Sequence, residues 1–134
     1  KNMKVVGVPE IIHFWRDHSE RTSRNDNKYL NNNFFKLKLK YFLTHDKDNK
    51  KKLIIWGAGK KGKEIAKLLS QKSIKFDWMT NNQKKIGHNI YNHRLISSKM
   101  INNYNSYQII IAIAAKDFKL SGTSINKKNI FYFC

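Results

Sequence analysis

The chain has 134 residues, 27 Lys and Arg against 9 Asp and Glu for a formal net charge of +18, and one cysteine. This length allows one compact domain, or a small domain with an appendage. A lone cysteine, Cys134, excludes an intrachain disulfide and fits a reducing, cytoplasmic setting, and the lysines interrupt every apolar stretch before it could span a bilayer.

Lys1–Asp26 is polar and rich in His, Arg and Trp, with no signal-peptide pattern, and a start at Lys1 rather than Met reads as a piece of a longer protein. In "HFWRDH" alternation sets His13, Trp15 and Asp17 against Phe14, Arg16 and His18. Arg16 and His18 together suit a phosphate or a metal-bound diphosphate; the bland alternative is a solvated polar turn. Lys28–Leu43 follows. Its "FFKLKLKYFL" alternates like a strand, yet Phe34, Leu37, Tyr41 and Phe35, Leu39, Phe42 also fill a helical stripe. The expectation is a helix from near Lys28 that packs on the following domain, with a membrane-surface role as the alternative. Residues 45–52 read as a charged linker, and the Asp46-x-Asp48 pair, crowded by lysines, belongs to it.

From there the pattern becomes strand, helix, strand. Leu53–Trp56 is a short buried strand, and Lys60–Ser70 is a helix with Ile65, Leu68 and Leu69 on its inner face. Ile74–Met79 is a second strand and "NNQKKIG" a turn. Ser97 and Ser98 can cap a short helix bearing Met100 and Ile101. The run "YQIIIAIA", Tyr107–Ala114, suits a strand covered on both faces, and Asn129–Phe133 is a last strand. Strands alternating with helices imply a parallel sheet with right-handed crossovers. The predicted fold is therefore α/β: a small Rossmann-like three-layer domain over 53–134, truncated after its third main strand and preceded by a helical or irregular segment.

"GAGKKG" places Gly57, Gly59 and Gly62 in the G-x-G-x-x-G pattern between strand and helix. The first glycine allows the tight turn, the second a close approach of backbone to a pyrophosphate, the third close helix–strand packing. The helix start then offers free N–H groups to an anion. Gly57, Ala58, Gly59, Lys60, Lys61, Gly62 and Thr80 are the nucleotide- or phosphate-loop candidates. A P-loop would need Ser or Thr after Lys63, where Glu64 stands, so the NTPase reading is set aside. A dinucleotide fold needs an acid closing the second strand. That strand ends in Thr80 and Asn81, with Asp77 three residues early, so NAD(P) is not expected, although Thr80 with Lys84 and Lys85 would suit a 2′-phosphate. The glycines kept for geometry alone, in a packing loop, are the alternative. His88 and His93 lie in an Asn-rich loop without zinc-type partners. Ser97, Ser98 and Ser121 lack the setting of a nucleophile.

The series "GVPEIIHFWRDHSERTSRNDNKYL", "IIWGAGKKGKEIAKLL", "NNQKKIG", "ISSKMI" and "IIIAIA" resembles the C-terminal region of certain bacterial family 2 glycosyltransferases over nearly the whole chain. There a GT-A catalytic domain ends in a Trp-Arg-x-His-type segment, then a helix, then a Rossmann-like domain with a W-G-A-G-x-x-G-K loop. The resemblance implies that residues 1–44 are the tail of the catalytic domain and its connecting helix. It makes Arg16 a diphosphate contact and His18 a ligand for a divalent metal, Mn or Mg, in the full-length enzyme. It also implies a non-catalytic accessory role in polysaccharide or glycoconjugate synthesis, with the missing GT-A domain and its nucleotide-sugar donor as partners. A cytoplasmic setting, at the inner face of an anionic membrane, suits both. Two departures stand out: "TNNQKKIG" lacks the relatives' acidic residue at Thr80, and "KDFKLSGTSINKKN" is a short last crossover. The scattered lysines give no reason to expect a specific nucleic acid, and much of the charge fits an AT-rich coding bias. A second reading is a dinucleotide- or nucleotide-binding sensor module.

Overall fold

The computed structural model describes residues 7, 9–11, 13–14, 16, 18–21, 25, 34–113 and 126–133. Packing divides the chain between Asn31 and Asn32. In the first unit Arg21 N donates to His18 O at 3.2 Å and Asn25 Nδ2 to Ser19 O at 2.9 Å.

The second unit holds α1 (Phe34–Tyr41), a π turn (Phe42–Asp46), β1 (Lys52–Trp56), α2 (Lys60–Gln71), β2 (Asp77–Thr80), β3 (Asn89–Ile90), β4 (His93–Ser97), β5 (Tyr107–Ile111) and β6 (Ile130–Tyr132). The six strands lie in the order β3-β4-β2-β1-β5-β6, with β3 antiparallel to β4 and the other pairings parallel. This is the expected α/β, Rossmann-like sheet.

Alternation along β1 and β5 makes two cores. Leu53, Ile55 and Ile110 face α1 and α2, joining Phe35, Leu39, Phe42, Ile65 and Leu69. Ile54, Trp56, Ile109 and Ile111 face the other way, over Met79 and Ile101. Ile101 sits on a 3₁₀ helix, Ser98–Asn103, which Ser97 caps by accepting Lys99 N–H, as its sequence suggests. The inner face of α2 is Gly62, Ile65, Ala66 and Leu69, the i, i+3, i+4, i+7 stripe of a helix lying on a sheet.

"FFKLKLKYFL" resolves as helix, because Phe35, Leu39 and Phe42 bury together whereas strand alternation would split them. The stretch after it is fastened to the sheet. Gln108, 4% exposed on β5, accepts from Asp48 N at 2.8 Å and donates to Asp46 O at 2.7 Å, so its buried amide is satisfied from 46–48.

Two expectations change. The second strand starts at Asp77, not Ile74: Ser73 takes a left-handed φ of 55°, Ile74 N bonds back to Leu69 O at 3.0 Å, and pairing with β1 begins at Ile54–Asp77. The sheet also holds two further strands between its second and third main ones in chain order. "NIYNHRLIS" forms the β3–β4 hairpin, turning at Tyr91 (φ 51°) and Asn92 (φ 63°), and β4 extends the parallel sheet beyond β2. His93 therefore heads a strand. Its ring stacks on Phe76 at 4.1 Å and meets Ser70 Oγ at 3.1 Å, while His88 stays in the preceding loop. No helix among the described residues is long and apolar enough to cross a membrane.

Candidate functional site

The chain runs outward from β1 to β2 and β4, then returns to the other side of β1 as β5. The strand ends at such a reversal leave a crevice, and here it is a cleft of about 480 Å³. The loop Gly57–Lys61 forms one wall, Thr80, Asn81, Asn82 and Lys85 a second, and Ala112 with Ile113 a third. Every loop candidate except Gly62 lines it.

The three glycines do different work. Gly57 has φ 121°, and a Cβ there would lie 2.8 Å from Ile113 Cγ1 and 3.1 Å from Ala112 C. Gly62 is tighter, since a Cβ would stand 1.9 Å from Gly57 O. Gly59 is free of such reasons: a Cβ would meet nothing within 4 Å, and its φ of −84° suits any residue. What Gly59 gives is bare backbone at the cleft.

The loop's carbonyls are tied back. Trp78 Nε1 donates to Gly57 O at 2.9 Å in the core, and Lys85 Nζ to Ala58 O at 2.9 Å across the cleft. Gly59 O accepts the first helical bond, from Lys63 N at 3.0 Å. Opposite, Thr80 Oγ1 accepts from Asn82 N at 3.2 Å and Asn82 Oδ1 from Lys84 N at 3.0 Å. Trp56 Nε1 donates to Asn81 Oδ1 at 2.8 Å. Because an indole N–H can only donate, that contact fixes the amide orientation and leaves Asn81 its NH₂. The named acceptors on both walls are thus engaged within the protein, while the Lys60 and Lys61 ammonium groups, the Asn81 NH₂ and the first-turn amides of α2 are placed to donate.

The helix start is also charged against its own dipole. Gly59, at the N-cap, offers no capping side chain, the first turn has no acid, and Lys60, Lys61 and Lys63 stand at the positive end. Each such lysine costs a few tenths of a kcal/mol, about 0.3–1. An anion in the cleft would offset that cost.

Donors of this kind, at the start of a helix, are the type that suits a phosphate group. The ribose diol of a dinucleotide needs an acceptor at the end of β2, and among the described residues no carboxylate lines the cleft. Asp77 begins β2, at the end of the strands opposite the cleft. There it accepts from Tyr104 OH at 2.7 Å and lies 3.7 Å from Lys52 Nζ. Glu64, the misfit in the P-loop reading, is off the cleft lining, as is Lys84.

Tyr104 reports on that far end. Its phenol is pushed up to about 12 from 10.0, first by burial, then by the hydrogen bond and charge of Asp77. A raised folded pKa means the fold prefers neutral phenol. This contribution is complete below pH 10, the unfolded value, and disappears as pH climbs to about 12. In a spectrophotometric titration at alkaline pH, one late-ionising tyrosine is expected. Stability of Tyr104→Phe should fall less steeply with pH over that window; parallel curves would refute the assignment.

Of the carried-over residues, Arg16 and His18 are described and exposed, in the first unit. Trp15, Asp17, Ser121 and Cys134 lie outside the described residues. No group of three or more His, Cys, Asp or Glu side chains gathers among the described residues. Sequence reasoning missed Lys85 as the residue that holds Ala58, and Trp56 and Trp78 as anchors of the rim. The indoles carried a signal: a Trp buried at a strand end seeks an acceptor for its N–H.

Fold and cleft together define a doubly wound α/β domain with a glycine-rich loop at its switch point. Residues 49–131 match the family described as C2185-like, N-terminal, and the chain belongs to that family. No curated protein and no solved structure matches the chain.

Proposed function

We propose that residues 32–134 are a non-catalytic module that binds the phosphates of a nucleotide or nucleotide-sugar in the switch-point cleft, as the accessory segment of a family 2 glycosyltransferase. One observation carries the first half. Bare backbone at Gly59 opens onto a cleft where Ala58 O, Thr80 Oγ1, Asn81 Oδ1 and Asn82 Oδ1 already accept bonds from within the protein and where Lys60 and Lys61 stand at the start of α2. The second half is supported by the sequence resemblance, in which "HFWRDHSERTSR" precedes the W-G-A-G loop. The expected chemistry is capture without turnover, so the chain alone should transfer no sugar.

The test is a thermal-shift titration with UDP, UDP-sugars, NAD and NADP. A ligand that binds only the folded state at about 100 times its Kd stabilises by about 2.7 kcal/mol, a shift of many degrees for a domain this size. UDP or a UDP-sugar is expected to give it. Gly59→Ala should remove the shift while changing unliganded stability by less than about 1 kcal/mol. No shift with any of these ligands would sink the binding proposal. A scaffold reading would then stand, favoured by the steric need for glycine at 57 and 62 without any ligand.

A further inference from the structure

Helix α1 has two apolar sides. Phe35 and Leu39 are buried against the sheet, but Leu37 and Tyr41, four residues apart on another side, are 52% and 58% exposed. Beside them runs the edge strand β6, with Tyr132 60% exposed. A groove of about 450 Å³ joins the two elements and is lined by Leu37, Tyr41, Ile130 and Tyr132 among others. Lys36, Lys38 and Lys40 are exposed on α1, which has no acidic residue, and exposed Lys127 and Lys128 precede β6. Among the described residues, Asp46 is the only carboxylate lining the groove.

We propose that this face of α1 and β6 docks on an anionic lipid bilayer. Unlike the nucleotide proposal, it rests on nothing in the cleft. Apolar residues flanked by lysines are the pattern of an interfacial helix: the stems lie along the apolar layer and the ammonium heads reach the lipid phosphates. Charge selects this occupant over a second copy of the chain. Two copies joined here would set lysine against lysine within molecules already carrying +18 each. A sheet of acidic headgroups supplies opposite charge to Lys38 at the groove and to the exposed lysines of the same helix and of the turn before β6.

Co-sedimentation tests this with the 134-residue chain and vesicles of phosphatidylcholine, with or without about one-third phosphatidylglycerol. Binding is expected only to the anionic vesicles. Lys36→Gln, Lys38→Gln and Lys40→Gln combined should weaken it on the order of 100-fold. Leu37→Ser with Tyr41→Ser should weaken it about tenfold or more. Hydrogen exchange of the unmutated chain, free and vesicle-bound, should show protection over α1 and β6, a readout that needs no variant to fold. No binding, equal binding to neutral vesicles, or protection elsewhere would overturn the proposal. Undiminished binding of the folded Leu37→Ser, Tyr41→Ser variant would do so too, leaving only diffuse charge. So would a lipid-free dimer that this variant dissolves, because the occupant would then be a second copy.

Discussion

Gly62→Ala is expected to destabilise the domain by about 3 kcal/mol or more and to lower Tm by about 10 °C or more. The sign is the informative part. Inside a helix, Gly to Ala ordinarily gains about 1 kcal/mol. Here the new methyl would stand 1.9 Å from Gly57 O, and that carbonyl cannot step aside. It is held by Trp78 Nε1 at 2.9 Å in the core, and Gly57 N is bonded to Met79 O at 2.8 Å. The strain therefore moves either α2 off the sheet or the loop off β2. Gly59→Ala is the matched control, with open space around its Cβ. Chemical denaturation of both variants measures the contrast. Equal stability of the two would mean that α2 sits farther from the loop than described.

Phe42→Ala is expected to cost about 3–5 kcal/mol, the range for deleting a buried aromatic ring. Phe42 is 2% exposed, and its ring meets Phe131 edge-on at 4.7 Å and Phe133 at 6.2 Å. It is the joint between α1 and the far edge of the sheet. Its neighbour Tyr41, mostly exposed, should change stability by no more than about 0.5 kcal/mol when cut to Ala. Urea unfolding of the two variants settles whether α1 shares one cooperative transition with the sheet. If Phe42→Ala melted like the unmutated chain, α1 would be an appendage. The family match begins at Asn49, after this helix, so Phe42 places a segment outside the matched region in the domain's core.

Much of this architecture is written locally. "KLIIW" and "YQIII" carry enough apolar residues to be covered on both faces, and the glycine pattern between β1 and α2 fits one turn geometry. Ile65, Ala66 and Leu69 show which side of α2 faces inward. The β3–β4 hairpin was hidden because its turn is Tyr91–Asn92, without the glycine that usually announces two left-handed residues. The start of β2 was misplaced because Ile74 and Phe76 look like strand residues but close the end of α2 and pack before pairing begins.

By itself the sequence determined the α/β class, the loop after β1, the helix that follows it and the absence of an acid at the end of β2. These are properties of neighbours along the chain, where side-chain period and glycine position decide the outcome. The tertiary structure alone decided what the cleft offers a ligand. Trp56 reaches Asn81 across 25 positions and Lys85 reaches Ala58 across 27, and those two bonds engage Asn81 Oδ1 and Ala58 O at the rim. Strand register brings such pairs together, and no local pattern encodes it.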